Sequence, residues 1–473
     1  MKYNIERLVK PFLYASLALL VLWLPVIISN RLFIDDIGRS ARGYYDWGAN
    51  GRPLTDALFY FLNSGMSVID ASPAYQLAAI VVMGLCCISF LIALNIEIKW
   101  NTVLASLLIF STPYYIANII YRFDALSMAI SCLASIWCFY LSRSFKNISK
   151  YILGLILGVV YLSFYQAFMS IYIIMAMYIA LNEDKLYRGL KSVLPLIASL
   201  LLYYLAYSKL IAPIFINGYY NTAHSDILLS VDNFIYNIKM FANMQSDLLK
   251  GSQLAFFLLI LVPPLLLIAY DLIKREGTAS ALWKMPLMLL MLAIPTLIYL
   301  PLKHPVFDPR VLAGFGAAIC IIFIKAFDSR FIKCGATLLV LYLFSIFTVS
   351  CAYRVASNEL DAYERSKAFF ISEKIKEINS NKIVYFGTVD KPSITKRIDN
   401  HFPIVGHMTR PFLDNDSWWG KLLLENYGVS KFSLKNGPER DEIKKISCSN
   451  GFNKSGVHTV NGVIVVSYND WQC

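Results

Sequence analysis

The sequence predicts a polytopic α-helical membrane protein: a bundle of about 11 transmembrane helices followed by a small C-terminal α/β domain. Composition is the first observation behind this class. Of the 473 residues, 57% are hydrophobic and only 16% are charged, whereas a soluble protein carries about a quarter charged residues. The second observation is that apolar runs of about 18 or more residues recur along most of the chain, and each is long enough to cross a bilayer as a helix.

The individual spans follow the hydropathy of the chain. Lys2, Arg7 and Lys10 precede the first run, but no small-residue cleavage site follows it, so we interpret it as a retained helix rather than a signal peptide. The fifth and sixth runs are short and meet at SFYQAF, which leaves a count between ten and twelve. The runs cover approximately residues 11–29, 74–94, 101–119, 124–142, 151–164, 167–181, 192–212, 252–272, 284–302, 309–325 and 333–352.

The charges of the loops predict the orientation. If the N-terminus is cytoplasmic, the loops on that side hold 16 Lys and Arg and the short outer loops hold about ten, in line with the positive-inside rule. Eleven spans then place the tail outside the cytoplasm, which is the periplasmic side if the cell is Gram-negative. Because the net charge of +12 comes mostly from these short loops, we exclude a nucleic-acid partner.

Residues 353–473 predict a periplasmic α/β domain after a transmembrane domain of residues 1–352. Apolar residues recur at helical spacing over residues 358–379, and KIVYFG and GVIVVSYN are β-branched runs typical of buried strands. Two of the nine cysteines, Cys448 and Cys473, lie in this domain and are able to form a disulfide if it is outside the cytoplasm. The other seven lie in or beside apolar runs and are expected to be packing residues.

Polar side chains collect in the segments predicted to face outward. The first outer loop, FIDDIGRSARGYYDWGANGRPL, places Asp35 and Asp36 directly after the first span, where adjacent carboxylates repel each other and lose solvation. A purely structural loop gains little from that arrangement, so the pair is the strongest candidate for a chemical role. The segment that begins at Pro53 is amphipathic and too short to span, which predicts an interfacial helix.

Further polar candidates lie in the other outer loops and in the tail. For each of them a structural role is also open: charges beside a span often anchor topology, Arg122 and Asp124 could pair within their loop, and paired tryptophans often belong to a core. The loop NGYYNTAHSD also lies on this side. The candidates are Arg52, Arg122, Asp124, Tyr165, Gln166, Lys303, His304 and Arg310 in the loops, and His407, Arg410, Trp418 and Trp419 in the tail.

The acidic pair, the interfacial helix, the many spans and the outer C-terminal domain resemble the GT-C glycosyltransferases, which use a polyprenyl-phosphate sugar as donor. More narrowly, the first outer loop, YRFDALSM and SFYQAF resemble the Gtr-type serotype-converting O-antigen glucosyltransferases of enteric bacteria and their phages. The resemblance covers roughly the first 350 residues. It implies a GT-C-like bundle that moves glucose, with inversion, from undecaprenyl-phosphate-glucose to a sugar hydroxyl of the O-antigen polysaccharide. It also implies a flippase and a glucosyl-lipid synthase as functional partners.

The implied chemistry assigns roles to the candidates. The acceptor hydroxyl must lose its proton, so one carboxylate of the pair is expected to be the general base. Asp36 is slightly preferred, although nothing in the sequence separates it from Asp35. The leaving lipid phosphate gains negative charge and is expected to meet Arg122, Lys303, His304 and Arg310. The loop candidates as a set are expected to bind the phosphate or the sugar of the donor, and the tail candidates are expected to meet the acceptor. No obligatory metal or other cofactor is expected, because DD is not a D-x-D motif and no ligand cluster has metal spacing.

Three other functions are compatible with parts of the sequence. A lipid-linked sugar transporter or flippase would need ionisable residues and broken helices at mid-bilayer, whereas the charges here crowd one face. An acyl- or phosphoethanolamine-transferring enzyme would need a His-Asp pair or a metal hydrolase domain, and neither is recognisable. Another GT-C transferase would differ only in its sugar or acceptor, and the sequence does not distinguish it.

Overall fold

The structure is a computed structural model that describes residues 5–144, 147–214, 226–250, 252–327, 332–415, 417–434 and 437–473. The chain forms two compact units. The membrane unit contains Met1–Ile28 and Tyr45–Cys351, and the C-terminal unit contains Ser29–Tyr44 and Ala352–Cys473. The sequence placed the whole first outer loop with the transmembrane domain, whereas Ser29–Tyr44 pack with the tail.

The described part of the membrane unit is built from helices and short helical turns. The short turns cover Gly48–Asn50, Leu107–Phe110, Pro113–Tyr115, Gln166–Phe168, Tyr207–Ile211, Ala212–Ile214 and Pro309–Leu312. The helices are Ile5–Ile27, Pro53–Leu62, Ala74–Ala93, Trp100–Ser106, Ile116–Ile119, Asp124–Ser142, Ile148–Phe164, Met169–Asn182, Leu186–Ala206, Val231–Leu248, Ser252–Glu276, Thr278–Leu297, Phe315–Phe327 and Ile332–Lys376.

The helical membrane class is confirmed, whereas the count of eleven spans is not. Among the described residues, eight helices are long and apolar enough to cross a membrane. The number is nine if Trp100–Phe110 and Pro113–Ile119, which meet at an angle of 52°, form one broken span. The predicted fifth and sixth spans correspond to Ile148–Phe164 and Gln166–Asn182, which are apolar but shorter.

Burial separates the central helices of the membrane unit from the peripheral ones. In the apolar segments of Pro309–Phe327 and Asp124–Ser142, 83% and 72% of the residues are buried within the protein. In Phe257–Glu276 the share is 22%, and its exposed residues include Leu259 and Leu266. Large apolar side chains exposed in this way require a hydrocarbon environment, which agrees with a lipid-facing position.

The predicted interfacial helix is Pro53–Leu62, with proline at its first position. Thr55 and Phe59 are buried, whereas Phe61 and Leu62 are exposed. The helix therefore packs by one side and presents apolar groups on another, as an interfacial helix requires.

The C-terminal unit is a small α/β domain around a four-stranded sheet. The strands are β1 (Lys382–Phe386), β2 (Phe432–Ser433), β3 (Gly456–Val460) and β4 (Val463–Ser467), in the order β2-β1-β4-β3. β1 is parallel to β2 and β4, whereas β3 is antiparallel to β4. The helices of this unit are Asp35–Arg42, Ser393–His401, Pro403–Met408, Trp418–Glu425 and Pro438–Ser449, together with the end of Ile332–Lys376.

The sheet is buried on both faces. Ile383 and Tyr385 of β1 belong to one apolar core, and Val384 and Phe386 belong to a second core on the opposite face, as alternation along a strand requires. The first core also contains residues of the helix Ile332–Lys376. That helix has 45 residues and is about 68 Å long at 1.5 Å per residue, more than twice the hydrocarbon thickness, so its C-terminal part extends beyond the membrane.

The structure joins Cys448 and Cys473 in a disulfide, with their Cα atoms 5.7 Å apart. The bond attaches the chain end to the helix Pro438–Ser449. We expect Cys448→Ser to lower the stability of the domain by about 3 kcal/mol, because the link closes a loop of 25 residues.

Thiol alkylation without reductant, followed by mass spectrometry, checks this prediction. Protein isolated from the membrane should carry both cysteines oxidised, if the domain is periplasmic. Alkylation of Cys448 and Cys473 themselves would contradict the bond, and with it the support that the bond gives to a periplasmic location.

Candidate functional site

The acidic pair begins a helix rather than lying in an irregular loop. Asp35 and Asp36 form the first turn of Asp35–Arg42, where the helix dipole favours negative charge. The helix ends at Gly43, whose positive φ of 64° suits glycine and whose N–H donates to the carbonyl of Arg39. Asp36 is completely buried, whereas Asp35 is half-buried. The two carboxylates are therefore in different environments.

The helix Asp35–Arg42 is part of the apolar core of the C-terminal unit. Ile37 is 3% exposed and belongs to the core cluster that contains Ile383 and Ile464 of the sheet. Ile34, directly before the pair, packs against the same cluster and has a φ of 23°. A β-branched residue in this region is strained by about 1–3 kcal/mol and persists only when its surroundings impose the conformation. The orientation of the acidic pair is thus set by the core.

A buried ion pair holds the beginning of this segment. Arg31 Nη2 is 2.8 Å from Glu364 Oε2 on the helix Ile332–Lys376, and the two side chains are 3% and 1% exposed. The Arg31 guanidinium also lies 4.0 Å from the centre of the Phe412 ring and donates to the carbonyl of Arg410 at 2.5 Å.

Glu364 is bound by the backbone as well as by Arg31. Its carboxylate accepts the N–H of Phe412 and the N–H of Leu413, the latter at 2.9 Å. Burial raises the pKa of the Glu364 carboxyl, and Arg31 and the two amides lower it in part. Arg31 and Glu364 thereby join three parts of the C-terminal unit.

The far end of the helix Asp35–Arg42 lies beside a tryptophan. The Arg42 guanidinium is 4.4 Å from the centre of the Trp418 ring and 3.1 Å from both carboxylate oxygens of Glu425. Trp418 is 47% exposed, whereas Trp419 is half-buried against the core. Of the two predicted acceptor-binding tryptophans, Trp418 is therefore the more exposed, with Arg42 over one face of its ring, and Trp419 packs against the core.

The other two acceptor candidates contact each other. The Arg410 guanidinium lies 2.8 Å from His407 Nε2, and its Nε donates to the carbonyl of His407 at 3.1 Å. The backbone carbonyl of Arg410 also accepts a hydrogen bond from Arg31, so the backbone of Arg410 has a structural role.

In the membrane unit, Asp124 is bound by two residues of the first outer loop. Arg52 Nη1 donates to Asp124 Oδ1 at 2.6 Å, and the indole N–H of Trp47 donates to the same oxygen at 2.9 Å. All three residues are less than 9% exposed. Arg122, which could have paired with Asp124, forms an ion pair of 2.8 Å with Asp70.

The loop that carries Arg52 is held from several sides. The carbonyl of Gly51 accepts Gln166 Nε2 at 2.7 Å and the hydroxyl of Tyr203 at 2.6 Å. The carboxylate of Asp56 accepts the N–H of Trp47 and the N–H of Gly48 at 2.9 and 2.6 Å. Gln166 therefore binds the backbone of this loop, and it is also a candidate for contacts with the sugar donor.

Arg310 joins the same group of predicted residues. Its Nη1 donates to the hydroxyl of Tyr121 at 2.9 Å, and its Nε is 3.9 Å from Asp308. Its carbonyl accepts the hydroxyl of Tyr165 at 3.3 Å, and the ring of Tyr165 lies 5.7 Å from the Arg52 guanidinium. The structure thus brings Arg52, Asp124, Tyr165, Gln166 and Arg310 into one hydrogen-bonded neighbourhood.

The two remaining donor candidates, Lys303 and His304, lie at the surface. Lys303 and His304 are exposed on the loop before Pro309, and the backbone N–H of Lys303 donates to the carbonyl of Asp226 at 2.8 Å. Most of the predicted outer sequence NGYYNTAHSD lies outside the described residues.

Sequence reasoning missed several residues that position the candidates. These are Arg31 and Glu364 in the C-terminal unit, and Trp47, Asp56, Asp70 and Tyr121 in the membrane unit. The signal available for Arg31 was a charge directly after a span, which is also the pattern of an ordinary topology anchor.

The chain is similar to a known family of proteins. Residues 24–322 match the model of the family "Glucosyl transferase GtrII". This region contains the acidic pair and every loop candidate, but none of the tail candidates.

A protein of Salmonella phage P22, described as "Uncharacterized 55.3 kDa protein in gtrB 5'region", is 28% identical over 497 residues, which cover 99% of this chain and 100% of the phage protein. The similarity therefore extends through the C-terminal unit. Because the family match covers more than half of the chain, this polytopic membrane protein belongs to the GtrII glucosyl transferase family and is a glycosyltransferase.

Proposed function

We propose that the protein is an inner-membrane glucosyltransferase that moves glucose from undecaprenyl-phosphate-glucose to a sugar hydroxyl of the O-antigen repeat on the periplasmic face. The product is a branched lipopolysaccharide of altered serotype. The N-terminus lies in the cytoplasm and the C-terminal unit in the periplasm. A flippase and a glucosyl-lipid synthase supply the donor, and the reaction uses no metal or other cofactor.

One observation carries this proposal. Two adjacent carboxylates begin a helix at Asp35, shortly after the first span ends at Ile27, within the region that matches the glucosyl transferase family. That position follows the end of a transmembrane helix, where a lipid phosphate lies in a membrane. The core of the C-terminal unit fixes the carboxylates, and preorganised groups of this kind are what acid–base catalysis requires.

The proposed reaction is a single displacement at the anomeric carbon. The acceptor oxygen forms a bond to C1 of glucose, the bond from C1 to the phosphate oxygen breaks, and the configuration inverts. The proton of the acceptor hydroxyl passes to an aspartate, and the electron pair of the broken bond stays on undecaprenyl phosphate. A phosphate monoester is a sufficiently weak base to leave without a general acid, unlike the leaving group of a glycosidase.

Exposure favours Asp35 over Asp36 as the base. A general base must come within hydrogen-bond distance of the proton that it removes. Asp35 is half-buried, whereas Asp36 is completely buried and lies three residues before Arg39, which is itself 3% exposed. We therefore assign proton removal to Asp35 and the support of the helix to Asp36, which reverses the slight preference for Asp36 drawn from the sequence.

Arg310 is the candidate best suited to the phosphate. Arg52 and Arg122 each form close ion pairs with a carboxylate, which a phosphate would have to displace. Arg310 Nη1 donates to the hydroxyl of Tyr121 at 2.9 Å, and its Nε forms an ion pair with Asp308 at the longer distance of 3.9 Å. A hydrogen bond to a phosphate is charge-assisted and stronger than one to a phenol, so Arg310 gains by the exchange.

We expect Arg310→Ala to weaken donor binding by about 10–100-fold, the worth of one hydrogen bond between charged groups. Binding of undecaprenyl-phosphate-glucose to the purified protein in nanodiscs measures this. Arg122→Ala should have a smaller effect. Arg275→Ala, at an exposed arginine on the predicted cytoplasmic side, is the matched control. Unchanged affinity in Arg310→Ala and Arg122→Ala would place the phosphate contact elsewhere.

The function itself is tested in a host with a defined, unbranched O-antigen. Expression of the chain together with a glucosyl-lipid synthase and flippase should add a glucose branch, which linkage analysis of the polysaccharide detects. Export of lipid-linked sugar without a new linkage, in the same host expressing the chain and the synthase but not the added flippase, would indicate a transporter. A branch of another sugar would indicate a different GT-C transferase.

A further inference from the structure

A small exposed cluster lies at the end of the acidic helix that is opposite to the carboxylates. We call Arg42, Trp418 and Glu425 the platform cluster. Arg42 stacks on the Trp418 ring and forms a bidentate contact with Glu425. The side chains of Arg42 and Glu425 are 44% and 42% exposed, and Trp418 is 47% exposed. An exposed ion pair of this kind contributes little stability, so stability alone does not account for the cluster.

The platform cluster is aligned with Asp35. Asp35 and Arg42 are seven residues apart, which is two helical turns and places them on the same side of Asp35–Arg42. Their Cα atoms are about 10 Å apart along the axis, at 1.5 Å per residue. A short run of linked sugar rings spans that distance. The same helix therefore carries the proposed base at one end and the platform cluster at the other.

The chemistry of the platform cluster suits an uncharged sugar. A pyranose ring has a face of C–H groups, which packs on an indole ring, and a rim of hydroxyls that both donate and accept hydrogen bonds. The Arg42 guanidinium lies over one face of the indole and supplies donors, so a sugar would pack on the other face, and Glu425, the ion-pair partner of Arg42, supplies acceptors. Because the two charges neutralise each other, an anionic ligand gains little here and is repelled by Glu425.

We propose that the platform cluster is an acceptor subsite, which binds a neutral hexose residue of the polysaccharide a short distance along the chain from the hydroxyl that is glucosylated. This inference rests on the proposed function, since it supposes that Asp35 receives the acceptor proton. The subsite sets the register of the acceptor: a ring held on Trp418 determines which hydroxyl reaches Asp35. The C-terminal unit, which supplies Trp418 and Glu425, thereby takes part in the choice of acceptor.

The test compares Trp418→Ala, Trp418→Phe and a control in the full-length protein in nanodiscs. The acceptor probe is unbranched O-antigen polysaccharide released from lipopolysaccharide. Trp418→Ala should raise the KM for this polysaccharide roughly ten-fold, the loss of one aromatic packing contact, and leave kcat nearly unchanged. Trp418→Phe should recover part of the loss because it keeps a flat ring. Trp100→Ala removes an exposed tryptophan of the membrane unit and should leave KM unchanged.

A direct binding measurement separates this proposal from the proposed function. Calorimetric titration of the polysaccharide into the protein needs no donor and no turnover. If the wild-type protein binds the polysaccharide and Trp418→Ala binds it about ten-fold more weakly, the subsite is supported even where glucose transfer fails. If the wild-type protein does not bind it, or if Trp418→Ala binds and turns over like the wild type, the subsite is refuted. An equal rise of KM in Trp100→Ala would also refute it.

Discussion

An Asp35→Asn protein is expected to insert and fold normally yet lose about 10²–10⁴-fold of its glucose transfer, the usual contribution of a general base. Asparagine has the shape of aspartate but cannot accept the proton of the attacking hydroxyl. Asp35 is half-buried at the start of its helix, so the substitution should disturb the fold little. Transfer from undecaprenyl-phosphate-glucose to unbranched O-antigen, measured with thermal unfolding of the same samples, checks both parts.

Asp36→Asn should behave differently. Its side chain is completely buried near Arg39, so a loss of charge there changes the packing of the helix as well as its chemistry. We expect reduced transfer together with a lower unfolding temperature. Asp441→Asn, at an exposed carboxylate in the first turn of the helix Pro438–Ser449, is the matched control and should change neither. Wild-type transfer by Asp35→Asn would overturn the assignment of the base, whatever the result for Asp36.

The fold class was predictable because the membrane imposes it on composition. Hydrocarbon excludes unpaired backbone groups, so each crossing has to be an apolar helix, and hydropathy detects such helices directly. The same reasoning found the strands KIVYFG and GVIVVSYN, which are β1 and β4 of the sheet. It did not detect β2, which has only two residues, or β3, and it did not show that the helix Ile332–Lys376 is continuous. The sequence of that helix changes from apolar to polar along its length, whereas its secondary structure stays helical throughout.

The site was predictable as a set of candidates, but its pairings were not. Asp35 and Asp36 drew attention because adjacent carboxylates after a span are unusual in any structural role. Pairing depends on contacts between distant parts of the chain. Arg31 and Glu364 are separated by more than three hundred positions, and no local pattern marks either as the partner of the other. For the same reason the sequence could not tell that Trp418 is exposed while Trp419 packs against the core.

Glu364→Ala is expected to destabilise the C-terminal unit by about 3–5 kcal/mol, the usual cost of leaving one charge of a buried ion pair without its partner. The guanidinium of Arg31 would remain 3% exposed beside Phe412. The N–H groups of Phe412 and Leu413 would lose the carboxylate that accepts them. Chemical or thermal unfolding of the purified protein, followed by a signal from the C-terminal unit, measures the loss.

Two further variants separate the buried charge from the general effect of substitution. Glu373→Ala removes a carboxylate of the same helix that forms an exposed pair with Lys376, and it should cost less than about 1 kcal/mol. Replacing both buried partners, with Arg31→Met and Glu364→Leu together, should recover part of the stability, because no charge stays unpaired although the N–H groups of Phe412 and Leu413 still lack the carboxylate. A double variant as unstable as Glu364→Ala would contradict this account of the pair.

The same variants show whether the ion pair also places the acidic helix. Arg31 lies four residues before Asp35, and Ser29 and Asn30, which precede it, bind the helix Ile332–Lys376 through Ser357 and Asn358. If these contacts only stabilise the unit, the double variant should recover transfer along with stability. If the charged contacts of Arg31 with Glu364 and the carbonyl of Arg410 fix the position of Asp35, the double variant should be stable but slow. We expect the second result, with a lower kcat and an unchanged donor affinity, because apolar side chains fill the space without reproducing the directions of the hydrogen bonds.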